Sequence, residues 1–334
     1  IRMSVNRREL LSAVAVTAGV GSLAGCAGDE PASGSESAAG SGSSAPTAQS
    51  SFFVFGDITA QVAGSAADAE LLVPIGQHGH GWEPGPSVRE KIRDADLLVH
   101  GMDGFQPWVD DIRTDLEADD ADVTTVDVSS GLELLAPGSE HDHGEEGHEG
   151  DDDHGRGTMD PHFWMDPLRV KDATGNVERT LAEMDPSNED AYTENADGFR
   201  AALDELHERI EATISSGSKE VLLGAGHDSW QYFGDRYGVT VEALTNVSPD
   251  DRPTPRDIAR AQEVIETHDL RYICADPLES QRAAEQLVGE TDAEAVLPLT
   301  AMPGLTDEWE SEDWGYLEVM EKVNLPALED ALDA

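Results

Sequence analysis

Basic residues are scarce in this chain. It has 334 residues, with 21 Lys and Arg against 69 Asp and Glu, for a formal net charge of −48. That shortage excludes a nucleic-acid partner, because phosphate binding needs a basic surface. It also excludes simple electrostatic adhesion to anionic lipid. Cysteine is almost absent, with Cys26 and Cys274 alone, so no disulfide framework is available. The apolar run LLSAVAVTAGVGSLAG, residues 10–25, is too short for a comfortable membrane span. The chain has no HExxH, no GxSxG and no second carboxylate motif at helical spacing beside a candidate metal site, so the usual hydrolase signatures are missing.

What is present begins with an address. Arg7 and Arg8 precede the apolar run, and LAGC ends it at Cys26. Residues 1–26 read as a signal segment of the twin-arginine type closed by a lipobox, with Cys26 the lipidated residue. Residues 27–50 are nearly all small, Pro or acidic and read as a flexible tether. The acidic excess suits a halophilic protein, since at about 1 M salt charges are screened within about 3 Å. Regular apolar periodicity after residue 50 argues against an intrinsically disordered acidic chain. Cys274, in the apolar setting YICA, reads as a buried core thiol.

Short apolar runs then alternate with amphipathic stretches. Strands are expected at 51–55, 70–76, 95–101, 122–128, 220–226, 238–244, 270–275 and 293–299. Thr254-Pro255 is suited to cap a helix reaching His268. Tyr192, Ala196, Phe199, Leu203, Leu206 and Ile210 form one helical stripe, with Ser187 and Asp190 as a capping-box-like start. This predicts an α/β fold of two lobes with mostly parallel sheets. One long rigid helix, about 187–216 within a helical segment 168–217, joins them. The lobes would span 51–167 and 218–334, with a cleft between.

Eleven histidines are unevenly placed. His141, His143, His148 and His154 lie in 139–155, where eight of seventeen residues are acidic. The segment reads as a disordered loop able to collect metal weakly; the bland reading is a solvated charge run. His80, His162 and His227 sit at expected strand ends or helix starts, where open α/β sheets bind ligands. Each alone is more often a hydrogen-bonded loop residue. Together they point to one metal site in the cleft.

The residues around them carry a resemblance. HGWEPGPS at His80, DPHFWMDP at His162 and HDSWQYFGDRYGV at His227 resemble the ligand motifs of metal-binding lipoproteins of ABC transporters for zinc and manganese. These are cluster A-I substrate-binding proteins of the zinc-uptake type. DADLLVHGMDGFQPWV and DPSNEDAYTENADGF resemble further parts of that family, and the likeness covers about 51–334.

The resemblance implies zinc, with manganese as alternative, and His80, His162 and His227 as ligands. It implies a monomer, exported and lipid-anchored on the outer face of the cytoplasmic membrane. There it would hand metal to a permease and its ATPase. Many members supply a carboxylate near LPLTAMPG, where this chain has Thr300. Candidates for a fourth ligand are water, His78, Asp276 and Asp307. A surface metal store or adhesin is a second reading. A zinc hydrolase, with Glu83 as base, is a third.

Overall fold

The computed structural model of the chain describes residues 45–79, 81–137, 159–248 and 252–334. Cys26, His80, His141, His143, His148 and His154 lie outside the described residues.

The first lobe is a sheet of β1 (Thr47–Ser50), β2 (Asp68–Leu71), β3 (Leu97–His100) and β4 (Thr124–Asp127) in the order β2-β1-β3-β4. The second holds β5 (Val221–His227), β6 (Thr240–Thr245), β7 (Tyr272–Ala275) and β8 (Ala295–Pro298) in the order β6-β5-β7-β8. Every pairing is parallel, so each connection must cross over through a helix. In the first lobe these are α1 (Phe53–Ala63), α2 (Pro86–Arg93) and α3 (Pro107–Ala118). After β4 come α4 (Pro167–Met184) and α5 (Glu189–Ser216). In the second lobe α6 (Gln231–Tyr237), α7 (Pro255–His268) and α8 (Arg282–Glu290) make the crossovers, and α9 (Asp307–Ser311), α10 (Tyr316–Val319) and α11 (Leu325–Ala331) close the chain. In each sheet the strand order reverses beside the first strand, between β1 and β3 and between β5 and β7. The crevice beyond those strand ends is where such folds take ligands.

Seven of the expected strands overlap β2 to β8; the first does not. SFFVF at 51–55 is the entry to α1, and the strand before it is TAQS. β1 is a central strand whose Ala48, Gln49 and Ser50 are all buried, so it lacks the bulky apolar run that marks most strands. It also takes the last residues assigned to the tether. The phenylalanines build an aromatic cluster instead: Phe52 stands 4.8 Å from Trp164 and Phe55 6.1 Å from Phe163, centroid to centroid. A short apolar run cannot by itself tell helix from strand.

The long helix α5 has 28 residues, roughly 42 Å at about 1.5 Å per residue. Its six stripe residues are all buried. They pack on α1 and α4 at one end and on α10 and α11 at the other. One apolar core runs from Ala48 and Phe52 through Leu203 to Leu332, so both sheets share it; smaller clusters cover each outer face. Ser187 does not make the capping box: its hydroxyl and the Asn188 amide bond Asp185, both at 2.5 Å. Thr254 does, with Asp257 answering its backbone N–H. Cys274 is buried, and burial pushes its thiol up to about 12, which leaves it inert.

Candidate metal centre

β5 ends on His227, and its pairing with β6 shifts register between Gly224 and His227. A bulge of this kind re-aims the side chain that follows it. His227 is 8% exposed. His162 comes from the first lobe, at the start of a 3-10 turn, Phe163–Met165, and is fully buried against Trp164. The Trp164 indole is fixed by the Ala301 carbonyl at 2.8 Å. These two imidazoles, one per lobe and 65 residues apart in sequence, bring their Nε2 atoms to 3.3 Å.

Each ring is held at its other nitrogen by a carboxylate. Asp160 Oδ1 accepts from His162 N at 2.9 Å and lies 2.7 Å from His162 Nδ1. Glu279, just past β7, lies 2.9 Å from His227 Nδ1. Burial raises the Glu279 carboxyl, but hydrogen bonds from His227 and His78 outweigh it and bring the group to about 2. Glu279 is therefore ionised and can only accept, so His227 Nδ1 carries the proton. Burial raises Asp160 to about 6, so above that pH the same logic applies to His162. Burial, and after it His227 and His78, hold the His162 imidazole well below its ordinary value. That ring is neutral, with its Nε2 lone pair turned to His227.

Two lone pairs at 3.3 Å repel unless a positive charge stands between them. A metal ion meets the requirement. Two nitrogens bound at about 2.0–2.1 Å to a tetrahedral centre lie roughly 3.3–3.4 Å apart. The carboxylate–histidine pairs match the usual outer shell of a metal-bound imidazole. Asp160 Oδ2 is buried with no hydrogen-bond partner among the described residues, a cost that a cation held through His162 would offset.

His78 reaches the same Glu279 oxygen as His227, its Nε2 3.5 Å from Oε1, and its ring centroid lies 6.0 Å from that of His227. His78, His227 and Glu279 can bring ligand atoms within 4.8 Å of one another. Asp276 and Asp307, both candidates for a fourth ligand, are not brought into the centre. Asp276 is buried and fully engaged: Leu278 N at 2.9 Å, Thr300 Oγ1 at 2.6 Å and Ala301 N at 3.0 Å. It braces the turn where the family carboxylate was expected. Asp307 is exposed in the first turn of α9.

Sequence reasoning missed Glu279 and the role of Asp160. Asp160 stood inside the DPH motif; Glu279 had as its only signal an acid just past a strand next to β5. Gly226 lets Glu279 approach, since a Cβ there would stand 2.7 Å from Glu279 Oε2. Gly226→Ala should push the carboxylate off His227. Zinc affinity should then fall by about tenfold, as for other outer-shell losses, in calorimetric titration of the folded protein.

The family model described as zinc-uptake complex component A, periplasmic, matches residues 49–331. The chain belongs to that family. It is 28% identical over 283 residues to the high-affinity zinc uptake system protein ZnuA of Bacillus subtilis, covering 85% of this chain and 86% of that protein. It is 29% identical over 288 residues to the zinc-binding lipoprotein AdcA of Streptococcus pneumoniae, covering 85% of this chain but 55% of that longer protein. Among solved structures, the Zn(II)-bound ZnuA-like domain of the pneumococcal AdcA superposes with a TM-score of 0.72 at 26% identity, over 87% of this chain and all of that one. The zinc-uptake complex component A family supplies the substrate-binding part of ABC transport and is not a family of enzymes. The hydrolase alternative falls with that. The two-lobed α/β fold with a long connecting helix is the family's fold as well.

Proposed function

We propose that this chain captures one Zn²⁺ ion outside the cytoplasm and hands it to the permease of an ABC transporter. The ligands are His80, His162 and His227, with Asp160 and Glu279 orienting the last two. The observation that carries the reading is the pair of Nε2 atoms at 3.3 Å, each ring fixed at Nδ1 by a carboxylate. Zinc fits because three imidazoles and one light ligand suit a tetrahedral ion, whereas manganese prefers more oxygen. His80 enters on its motif, and His78 is the competing donor from the same loop. That loop is tied to the second lobe by Gly76 N to Leu305 O and Gly79 N to Pro303 O, both 2.8 Å. A shift of this loop moves one ligand away from the other two, which spoils tetrahedral geometry and loosens the ion without unfolding the shared core. Zinc should titrate at one tight site per chain. Deleting 139–155 should remove weak sites and leave the tight one unchanged; loss of the tight site on that deletion would place the centre in the loop.

No helix among the described residues is long and apolar enough to cross a membrane. Retention is assigned to lipid on Cys26, with the tether keeping the carrier at high effective concentration near its permease. Cys26→Ser should leave zinc affinity intact and move the protein from the membrane to the soluble fraction of fractionated cells. Equal membrane association of both forms would remove Cys26 as the anchor.

A further inference from the structure

The metal centre opens on a cleft of about 870 Å³. A single ion replaces about one water, roughly 30 Å³, so this space has the size of a small-molecule site. Its charge runs against the rest of the protein. Acids outnumber bases 69 to 21 over the chain, yet among the described residues lining the cleft Arg252 and Arg282 face one carboxylate, Glu279. Glu279 is already engaged by His227 and His78. Arg252 and Arg282 are exposed and form no ion pair with any described residue. Arginines elsewhere do pair with carboxylates, as in Arg93 with Asp119, Arg113 with Asp103 and Arg236 with Asp166. Thr245, Ser280 and Gln286 add hydrogen-bonding groups to the walls, and Trp82 and Ile258 add apolar surface.

We propose that the cleft receives zinc as an anionic polycarboxylate chelate, whose outer carboxylates dock on Arg252 and Arg282 while the histidines take the metal. This rests on the zinc reading above. Arginine suits the task because its planar fork matches a carboxylate in two hydrogen bonds. At low ionic strength a chelate of net negative charge is repelled by the rest of this surface and attracted here, so the two arginines set where it lands. The exchange is balanced without redox, and near pH 8, where Asp160 is already ionised, without net proton change. Each zinc–oxygen bond to the chelator is replaced by a zinc–nitrogen bond to a neutral imidazole, and the chelator leaves as its free carboxylate.

The test uses the full chain, tryptophan fluorescence and rapid mixing, with zinc given either as zinc citrate or in a non-chelating buffer. For the wild type, transfer from zinc citrate should quicken as zinc citrate concentration rises; a rate fixed at that of free citrate-complex dissociation would overturn the proposal without any variant. In Arg252→Gln/Arg282→Gln, transfer from zinc citrate should slow by about tenfold, the scale of electrostatic steering. The rate and affinity for zinc from the non-chelating buffer should stay as in the wild type. Unchanged citrate transfer would overturn the proposal, and so would equal slowing from both sources, which would mark a general field effect. Citrate alone should bind the wild type weakly and the double variant not at all; equal binding to both would again count against it. A wild type that takes no zinc from the non-chelating buffer would sink the zinc reading itself, a distinct outcome.

Discussion

His227→Ala and His162→Ala should each weaken tight zinc binding by at least about tenfold, or roughly 1.4 kcal/mol. The two residues supply the facing Nε2 atoms from opposite lobes, so either change removes one ligand outright. Both apo variants should fold, because the rings are held by hydrogen bonds in the cleft floor while the shared core lies in the helices and sheets around it. Stabilisation by zinc in thermal melts should shrink in parallel, since a ligand bound to the native state alone stabilises by mass action. His207 and His268 are the controls. His207 lies on α5 with its Nδ1 3.0 Å from the Tyr237 hydroxyl, and His268 is in the last turn of α7. Their alanine variants should bind like wild type. His80→Ala set beside His78→Ala decides which histidine completes the set: the motif puts the loss on His80, and a loss confined to His78→Ala would reassign it.

Asp160→Asn should cost about 10- to 100-fold in zinc affinity, the usual range for an outer-shell partner, although Asp160 touches no metal. It should also change the proton count. Burial raises the Asp160 carboxyl to about 6, above an unfolded value of about 3.9. Apo Asp160 thus holds its proton more firmly when folded. Its contribution to stability is fully present below about pH 3.9 and is lost as pH rises through about 6. A cation on His162 favours the carboxylate, so zinc binding near pH 6 should expel part of a proton from Asp160, and near pH 8 almost none. Calorimetry in buffers of different ionisation heat reads that release; Asp160→Asn should reduce it at pH 6 and leave pH 8 unaltered. An unchanged release would mean that Asp160 does not sense the metal. Glu279 behaves oppositely. At about 2 it is ionised throughout this range and adds no proton.

Much of this was legible in the sequence, for identifiable reasons. β5 and β7 are apolar runs between helical stretches, and Tyr192 to Ile210 repeats at helical spacing, so lobes and long helix follow from periodicity. β1 was not legible because a buried central strand of small and polar residues, TAQS, looks like the tether before it. His162 and His227 stood out through their motifs, but that their Nε2 atoms meet depends on two lobes closing over one core, which no local pattern encodes. Glu279 and Asp276 illustrate the same limit. Both are acids just past β7, three residues apart. Which one reaches His227 depends on the turn that ties Asp276 to Thr300 and Ala301.

The central claim is tested most directly by crystals of the protein lacking 139–155, loaded with one equivalent of zinc, and an anomalous map at the zinc edge. A single peak is expected about 2.0–2.1 Å from Nε2 of both His162 and His227, with the third imidazole from the 78–80 loop. Glu279 should remain on His227 Nδ1. A peak seated instead among His78, Glu279 and His227 Nδ1, or away from His162, would contradict the account.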